Sequence, residues 1–323
     1  MILVTGASGF LGQHLLQLLD QQSEPVVALY HSNKPDIKYQ NVIWKNVDLL
    51  DFFEVAALLE DIDKIYHCAA IVSFNSKDKE KMILENVNIT TNLVNAALEA
   101  PHVQRFIYVS SIAALGRAAS SEKFISEETH WVESKQNSTY AISKFRSEME
   151  VWRGFAEGLS GAIVNPGIIL GAGDFNKGSA QLISNVAKGF PYYTDGVNGW
   201  VDVNDVAKAL VLLMDADVNE ERFILCQGNH SYKDIFSMMA TALQLPVPSK
   251  RVSPWQAEIV WRLDYLRSTI QGKNPLITKE SARTAQKLCY YDAAKFSNTF
   301  PQFEYTAIAT TIDRMAKAFQ QKA

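Results

Sequence analysis

The 323-residue sequence is poor in the features that mark several large classes of protein. Its three cysteines, Cys68, Cys226 and Cys289, are widely separated, so neither a disulfide framework nor a zinc site is expected. Acidic residues outnumber basic ones and the net charge is −4, which predicts no nucleic-acid or anionic membrane partner. No apolar run is long enough to span a bilayer.

Two common hydrolase motifs are also missing. Neither Gly-x-Ser-x-Gly, which presents a nucleophilic serine, nor His-Glu-x-x-His, which binds zinc, occurs in the chain. We therefore expect no metal site and no hydrolysis of these two kinds. The first predicted strand begins at Ile2, which leaves no room for a signal peptide, and we expect a cytoplasmic protein.

What the chain does have is a glycine-rich segment directly after its first apolar run. Ile2–Thr5 is predicted to be a buried strand, and Gly6, Gly9 and Gly12 follow before an amphipathic helix. A strand, a glycine turn and a helix N-terminus together can hold a pyrophosphate on backbone amides. The spacing differs from the usual Gly-x-Gly-x-x-Gly, and a glycine turn of an ordinary α/β protein is the alternative.

Apolar runs and amphipathic segments alternate over the first half of the chain. This alternation predicts an α/β fold, namely a doubly wound parallel (Rossmann) sheet with a second, smaller, mostly helical substrate domain. We expect the dinucleotide-binding domain to comprise residues 1–171 and about 200–226. The substrate domain would comprise about 172–199 and 227–303, followed by a C-terminal helix over 304–323.

A tyrosine and a lysine four residues apart suggest acid/base chemistry. On a helix, Tyr140 and Lys144 share a face, and a nearby ammonium favours the phenolate form of a tyrosine. Ser110 and Ser111 end a predicted strand that begins at Gln104, and a hydroxyl there can donate to a substrate oxygen. A surface Tyr–Lys pair and a loop serine are the alternative interpretations when each signal is taken alone.

Taken together, these motifs resemble the extended branch of the short-chain dehydrogenase/reductase family, of the epimerase/dehydratase type. The resemblance covers about residues 1–226 and is greatest to reductases of the dihydroflavonol-reductase and 3β-hydroxysteroid-dehydrogenase kind. The other matching segments are Asp48-Leu49, His67-Cys68-Ala69-Ala70, Asn86-Val87-Asn88, Asn165-Pro166-Gly167 and Trp200-Val-Asp-Val-Asn-Asp205-Val-Ala207. Asn165 stands where the family motif has arginine.

The resemblance implies a role for each catalytic residue. Tyr140 would be the acid/base, Lys144 would lower its pKa and hold the nicotinamide ribose, and Ser111 would orient the reacting carbonyl or hydroxyl. Asn88 would steady the helix and strand ends near the cofactor. The implied cofactor-binding residues are Thr5, Gly6, Gly9, Phe10, Leu11, Gly12, Asp48, Leu49, Ala69, Ala70, Asn88, Tyr140, Lys144, Pro166, Gly167 and Ile168.

The end of the second predicted strand bears on the choice of cofactor. An NAD site usually places a carboxylate there, about 20 residues after the glycines, to bind the ribose 2′-hydroxyl. This chain instead has His31, Ser32 and Lys34, which suit a 2′-phosphate. We therefore expect NADP(H) to be preferred over NAD(H), with a solvated loop as the alternative.

The substrate is expected to be a small, largely uncharged carbonyl compound or secondary alcohol. Asp195 precedes the Trp200 segment where sugar-nucleotide enzymes of the family usually have an arginine. Tyr192 and Trp200 would supply an aromatic wall, and the helix that carries Trp255 would close over it, with helix-packing core as the alternative for Trp255. A sugar-nucleotide epimerase or dehydratase remains the first rival function, and a non-catalytic dinucleotide sensor the second.

We also expect a homodimer. By the family's topology, two long helices over 80–100 and 138–155 lie on one face of the sheet, where relatives often pair. The large apolar residues available for such an interface are Met82, Leu93, Met149 and Trp152. Burial of these residues within one subunit is the alternative.

Overall fold

The computed structural model describes residues 1–71, 79–116, 123–134, 137–271 and 278–322, with the backbone alone for 269–271. Residues 272–277 of the predicted substrate domain and residue 323 of the predicted C-terminal helix lie outside these ranges. The strands are Ile2–Thr5 (β1), Val26–Tyr30 (β2), Val42–Asn46 (β3), Lys64–His67 (β4), Arg105–Val109 (β5), Gly161–Pro166 (β6), Ile168–Leu170 (β7), Tyr192–Tyr193 (β8), Val197–Asp202 (β9), Glu221–Leu225 (β10), Gly228–Ser231 (β11) and Lys250–Arg251 (β12). The α-helices are Phe10–Leu19 (α1), Phe52–Leu58 (α2), Lys79–Glu99 (α3), Thr139–Ala156 (α4), Gln181–Ala187 (α5), Val203–Asp215 (α6), Tyr232–Ala242 (α7), Pro254–Gln271 (α8), Lys279–Thr284 (α9), Ala294–Thr299 (α10) and Ile308–Lys322 (α11).

Seven parallel strands form the central sheet, in the order β10-β6-β5-β4-β1-β2-β3. The chain leaves β1 toward β2 and β3 on one side and then returns to lay β4 on the other. This reversal opens a crevice at the carboxyl ends of β1 and β4, where ligands bind in open α/β sheets. The predicted α/β fold with a parallel sheet is confirmed.

The two faces of the sheet carry two separate apolar clusters. Along β1, Ile2 and Val4 belong to the cluster that includes α1 and α6, whereas Leu3 belongs to the cluster that includes α2, α3 and α4. Successive side chains of a strand point to opposite faces, so both faces are covered and the strand is apolar throughout. This double burial explains why the strands appear in the sequence as short continuous apolar runs.

A second, smaller sheet, of order β11-β9-β7, stands beside the carboxyl edge of the first. Residues of β7, β9, α5, α7 and α11 form a third apolar cluster there. Asp202, at the end of β9, accepts hydrogen bonds from Asn204 and Thr311 and pairs with Arg314. The carboxylate therefore ties the C-terminal helix α11 to this second layer.

The structure corrects part of the expected dimer surface. Met82 and Leu93 are buried in the subunit, because α3 packs along α4 and turns these residues inward. Met149 is 48% exposed and Trp152 is half-buried, so these two residues can still contribute to a dimer interface. Among the described residues, no helix has the length and apolarity needed to cross a membrane.

Candidate active site

The glycine loop between β1 and α1 is shaped by close backbone contacts. Gly6 has a φ of +65°, and a Cβ there would lie 2.7 Å from the amide nitrogen of Ala69. A Cβ on Gly12 would lie 2.3 Å from the carbonyl oxygen of Gly6. Gly9 is the N-cap of α1 and provides no side-chain cap, so the helix N-terminus is not shielded from an anion by a side chain. This cradle fits a dinucleotide pyrophosphate.

A chain of buried hydrogen bonds supports the glycine loop from behind. The hydroxyl of Thr90 donates to the carbonyl oxygen of Asn86 at 2.9 Å, so His67 Nε2 must donate to Thr90 Oγ1, 3.1 Å away. His67 Nδ1 is then an acceptor for the Thr5 hydroxyl at 2.8 Å, and Thr5 in turn accepts from the Ala69 amide at 3.1 Å. Burial lowers the pKa of His67 to about 3, so the ring is neutral. A neutral ring has one donor and one acceptor nitrogen, which agrees with donation from Nε2 and acceptance at Nδ1.

Asn86 takes the supporting role that was expected of Asn88. Its amide nitrogen donates to Ile71 O at 2.9 Å and to Ser143 Oγ at 2.7 Å, and its oxygen accepts from Ile71 N at 2.7 Å. Asn88 is exposed on α3, so the assignment of Asn88 as a supporting residue at the cofactor site was wrong. Two residues of a helix that are two positions apart point about 200° apart, and only one can face the sheet.

The structure brings Ser111, Tyr140 and Lys144 together at the carboxyl end of β5. Ser111 lies two residues beyond β5 and caps a short 3-10 helix, accepting from Ala113 N at 3.2 Å. Tyr140 lies in the first turn of α4, and its phenol is near enough to the Ser111 side chain for that side chain to lower the phenol pKa. Lys144 follows one turn later and is buried. A hydroxyl donor, a phenol and an ammonium therefore converge beside the crevice.

The Lys144 ammonium is held by the sheet. It donates to the carbonyl oxygen of Val109 at 2.8 Å and lies 5.2 Å from the centre of the Tyr108 ring. Burial lowers the pKa of Lys144 to about 8, and the neighbouring Glu148 carboxylate opposes that shift. The buried lysine therefore holds its proton less tightly than an ordinary lysine does.

The phenol of Tyr140 behaves differently from the expectation. Burial raises its pKa, and the hydrogen bond with Ser111 is the interaction that counters this rise. The net direction is opposite to the lowering expected from Lys144, because burial is the larger effect on the phenol. The Lys144 ammonium donates to the Val109 carbonyl.

The sequence analysis missed Glu148, a buried carboxylate beneath the catalytic residues. It accepts hydrogen bonds from Ser110 Oγ at 2.6 Å and Asn165 Nδ2 at 2.9 Å, and it forms an ion pair with Arg222 at 3.0 Å. The one available signal was its spacing, four residues after Lys144 on the same helix face.

The remaining predicted cofactor residues line the carboxyl edge of the sheet. His31, Ser32 and Lys34 follow β2 and are exposed, with 2.7 Å between His31 Nδ1 and Ser32 Oγ. Asp48 follows β3 and accepts from the Leu50 amide at 3.0 Å. The others lie close by: Leu49 beside Asn92 of α3, Phe10 and Leu11 in the first turn of α1, Ala70 after β4, and Pro166, Gly167 and Ile168 between β6 and β7.

The three predicted substrate residues lie in different environments. Trp200 is 0% exposed, donates its indole N–H to His230 O at 3.0 Å and packs edge-on against Tyr232. It is a core residue with no surface for a ligand, which corrects its assignment to the substrate wall. Tyr192 on β8 is 41% exposed and Trp255, in the first turn of α8, is 64% exposed.

Three arginines near these residues are engaged by carboxylates. Arg251 pairs with Asp195, and both Arg262 and Arg283 pair with Glu258. The acid that precedes the Trp200 segment is therefore neutralised by an arginine that folding brings from β12.

Comparisons with known proteins agree with this geometry. The chain is 28% identical over 302 residues to a putative dihydroflavonol 4-reductase of Synechocystis sp., covering 90% of this chain and 87% of that one. It is 24% identical over 282 residues to cinnamoyl-CoA reductase 1 of Petunia hybrida, covering 79% of this chain and 84% of that one.

The crystal structure of gox2253 superposes with a TM-score of 0.84 at 28% identity, covering 100% of this chain and 98% of the other. The model of the NAD-dependent epimerase/dehydratase family matches residues 2–226, which include the glycine loop, Ser111, Tyr140 and Lys144. The chain belongs to the NAD-dependent epimerase/dehydratase family, the extended short-chain dehydrogenases/reductases.

Proposed function

We propose that this protein is an NADP(H)-dependent oxidoreductase that transfers a hydride between nicotinamide and the carbonyl or secondary alcohol of a small, largely uncharged substrate. The observation that carries the proposal is the convergence of Ser111, Tyr140 and Lys144 beside the glycine cradle. The two named reductases in the comparisons support the reductase kind. The dinucleotide would lie on residues 1–171 and about 200–226, and the substrate against 172–199 and 227–303.

The protein residues would manage the proton and the developing charge. When bound, the nicotinamide supplies or accepts the hydride. As a carbonyl is reduced, negative charge grows on its oxygen, and the hydroxyl of Ser111 can donate a hydrogen bond to that oxygen. The phenol of Tyr140 gives the proton, and the cation of Lys144 offsets the charge that remains.

The ribose end of the site supports NADP(H). His31, Ser32 and Lys34 follow β2, and none of them is a carboxylate that would repel a 2′-phosphate. The exposed imidazole, hydroxyl and ammonium can all act as donors to phosphate oxygens.

Two features of the second layer support an apolar substrate. Tyr192 and Trp255 expose aromatic surface, which binds apolar ligands by removing that surface from water. Asp195 and Glu258 place carboxylates beside Arg251, Arg262 and Arg283, and a carboxylate near a buried diphosphate would repel it.

A panel of aldehydes and ketones, assayed for oxidation of NADPH by the wild-type protein, tests the proposal. We expect turnover of at least one uncharged compound and no thermal stabilisation by UDP- or dTDP-sugars. Stabilisation by such a sugar nucleotide, without carbonyl reduction, would favour the epimerase or dehydratase function of the family. Cofactor binding with no reaction on either substrate class would favour a dinucleotide sensor.

We also propose that the protein is a homodimer joined through α3 and α4. The residues that support it are Leu84 and Met149, which are exposed, and Trp152, which is half-buried.

A further inference from the structure

Glu148 connects one helix to three adjacent strands. It lies on α4, its side chain is almost wholly buried, and its partners come from three strand segments. Ser110 follows β5, Asn165 is on β6 and Arg222 is on β10. Removing one partner of a buried ion pair leaves an uncompensated charge. The buried Glu148 carboxylate therefore depends on all three of these contacts.

The contacts of Glu148 hold the backbone that carries Ser111. The Asn165 amide nitrogen donates both to Glu148 Oε2 at 2.9 Å and to the carbonyl oxygen of Ser111 at 3.0 Å. Ser110, the preceding residue, donates its hydroxyl to the same carboxylate oxygen at 2.6 Å. The position of Ser111 at the crevice therefore depends on a carboxylate that lies behind it.

The cation of this cluster is Arg222, on the strand β10 that pairs with β6. Its guanidinium lies 3.0 Å from the Glu148 carboxylate, to which Asn165 of β6 also donates. Arg222 is fixed further by a hydrogen bond of 2.8 Å from its Nε to the Glu127 carbonyl. The arrangement keeps Glu148 paired in a buried setting.

Glu148 also sets the charge environment of Lys144, one turn earlier. The groups that face Lys144 are His67 and Cys68 after β4, Tyr108 on β5, and Tyr140 and Glu148 on α4. Burial makes His67 neutral, with a pKa of about 3, and raises the pKa of the Cys68 thiol to about 12. Burial also raises the pKa of both tyrosines. Of these five groups, Glu148 is the one carboxylate, and it lies buried one turn of α4 after Lys144.

We propose that Glu148 is a positioning residue for the reaction, which fixes the backbone of Ser111 and keeps Lys144 cationic without touching substrate or cofactor. The inference rests on the proposed function, because it assigns Ser111 and Lys144 their parts in it. It extends the active site to a second set of residues, Ser110, Asn165 and Arg222, that hold the carboxylate.

The pH dependence of NADPH binding tests the charge effect. In the wild type, affinity should fall as pH rises through the pKa of Lys144, since the ammonium helps to hold the dinucleotide. In Glu148→Gln the midpoint of this fall should move to lower pH by about one unit, because the neighbouring negative charge is lost. The control is Glu150→Gln on the same helix, which removes only a partly exposed pair with Arg153 and should leave the midpoint unchanged.

A second variant separates charge from geometry. Glu148→Asp keeps the charge but shortens the side chain by one methylene, so the midpoint should stay near that of the wild type. Its kcat on a ketone that the wild type reduces should fall about tenfold with little change in KM, because Ser111 is displaced. Circular dichroism and thermal melting establish that each variant is folded.

The outcomes distinguish a failure of the role of Glu148 from a failure of the proposed function. A folded Glu148→Gln protein with the wild-type midpoint would overturn the inference. If Glu148→Gln does not fold, Glu148→Asp decides alone, and full turnover by it would overturn the inference. A wild-type protein that binds no dinucleotide would instead overturn the proposed function.

Discussion

Lys144 donates to the carbonyl oxygen of Val109 across 2.8 Å, so the ammonium is fixed to the end of β5 before any ligand binds. The hydrogen bond places a cation in a buried position, where its charged form is disfavoured. The result is a lysine whose folded-state pKa, about 8, is below its ordinary value of 10.5.

This shift predicts a pH-dependent contribution to stability. Between pH 8 and pH 10.5 the unfolded chain keeps a proton on Lys144 that the folded chain has lost, so stability rises with pH. The unfolding free energy of the wild type relative to Lys144→Met should therefore increase by about 2 kcal/mol over two pH units of that window. Urea titrations of both proteins at several pH values measure it. A difference that is flat or that falls with pH would contradict the lowered pKa.

Catalysis should depend on the hydroxyl of Tyr140. Tyr140→Phe removes the acid/base group while leaving the ring in place, so kcat should fall by about 10² or more. The thermal midpoint and NADPH affinity should be preserved. The matched control is Tyr39→Phe, which removes a buried hydroxyl with no hydrogen-bond partner among the described residues, and its turnover should equal the wild type. Near-normal turnover by Tyr140→Phe would disprove the role.

The sequence was sufficient for the central sheet because most of its strands are buried on both faces. The runs Ile2–Thr5 and Arg105–Val109 are apolar or uncharged over most of their length, and the glycine positions mark the turn between β1 and α1. The roles expected of Ser111, Tyr140 and Lys144 came from the resemblance to the family, which has these residue types in the same order along the chain. These features are local, so no knowledge of packing was needed to find them.

The errors concern side-chain direction and distant partners. Trp200 lies on a segment that borders the site, but whether an indole faces a ligand or the core depends on packing against Tyr232 of α7. Glu148 appears in the sequence as an ordinary helix-surface acid, and its ion-pair partner Arg222 is 74 residues away. Such contacts exist only after the sheet has assembled.

The exchanged roles of Asn86 and Asn88 give a matched pair of variants. Asn86→Ala removes the side chain that binds both backbone groups of Ile71 and the hydroxyl of Ser143. It should destabilise the protein by roughly 1–3 kcal/mol, the usual cost of leaving buried polar groups unpaired. Asn88→Ala, at an exposed position of α3, should change stability by less than about 0.5 kcal/mol. Equal effects in denaturant titration would contradict the assignment of Asn86.

The proposed dimer predicts that a charge on α4 will dissociate it. Met149 is 48% exposed, so Met149→Lys leaves the folded subunit intact while placing an ammonium in an apolar contact. Light scattering at tens of micromolar should give a dimeric mass for the wild type and a monomeric mass for the variant. Val247→Lys, at an exposed position away from α3 and α4, is the control and should remain dimeric. A wild-type protein that is already monomeric would refute the dimer.

The preference for NADP(H) should depend on Lys34. Its ammonium follows β2 in an exposed segment without a carboxylate at the ribose position, where it can bind a 2′-phosphate. Lys34→Ala should weaken NADPH binding about tenfold, the usual worth of a hydrogen bond to a charged group, and leave NADH binding unchanged. Lys38→Ala, four residues further along the same exposed segment, controls for a general loss of positive charge and should alter neither affinity appreciably. Fluorescence titration of the three proteins with both cofactors gives the affinities. Tighter binding of NADH than of NADPH by the wild type would rule out the preference, and an equal loss for both cofactors in Lys34→Ala would place the lysine away from the 2′-phosphate.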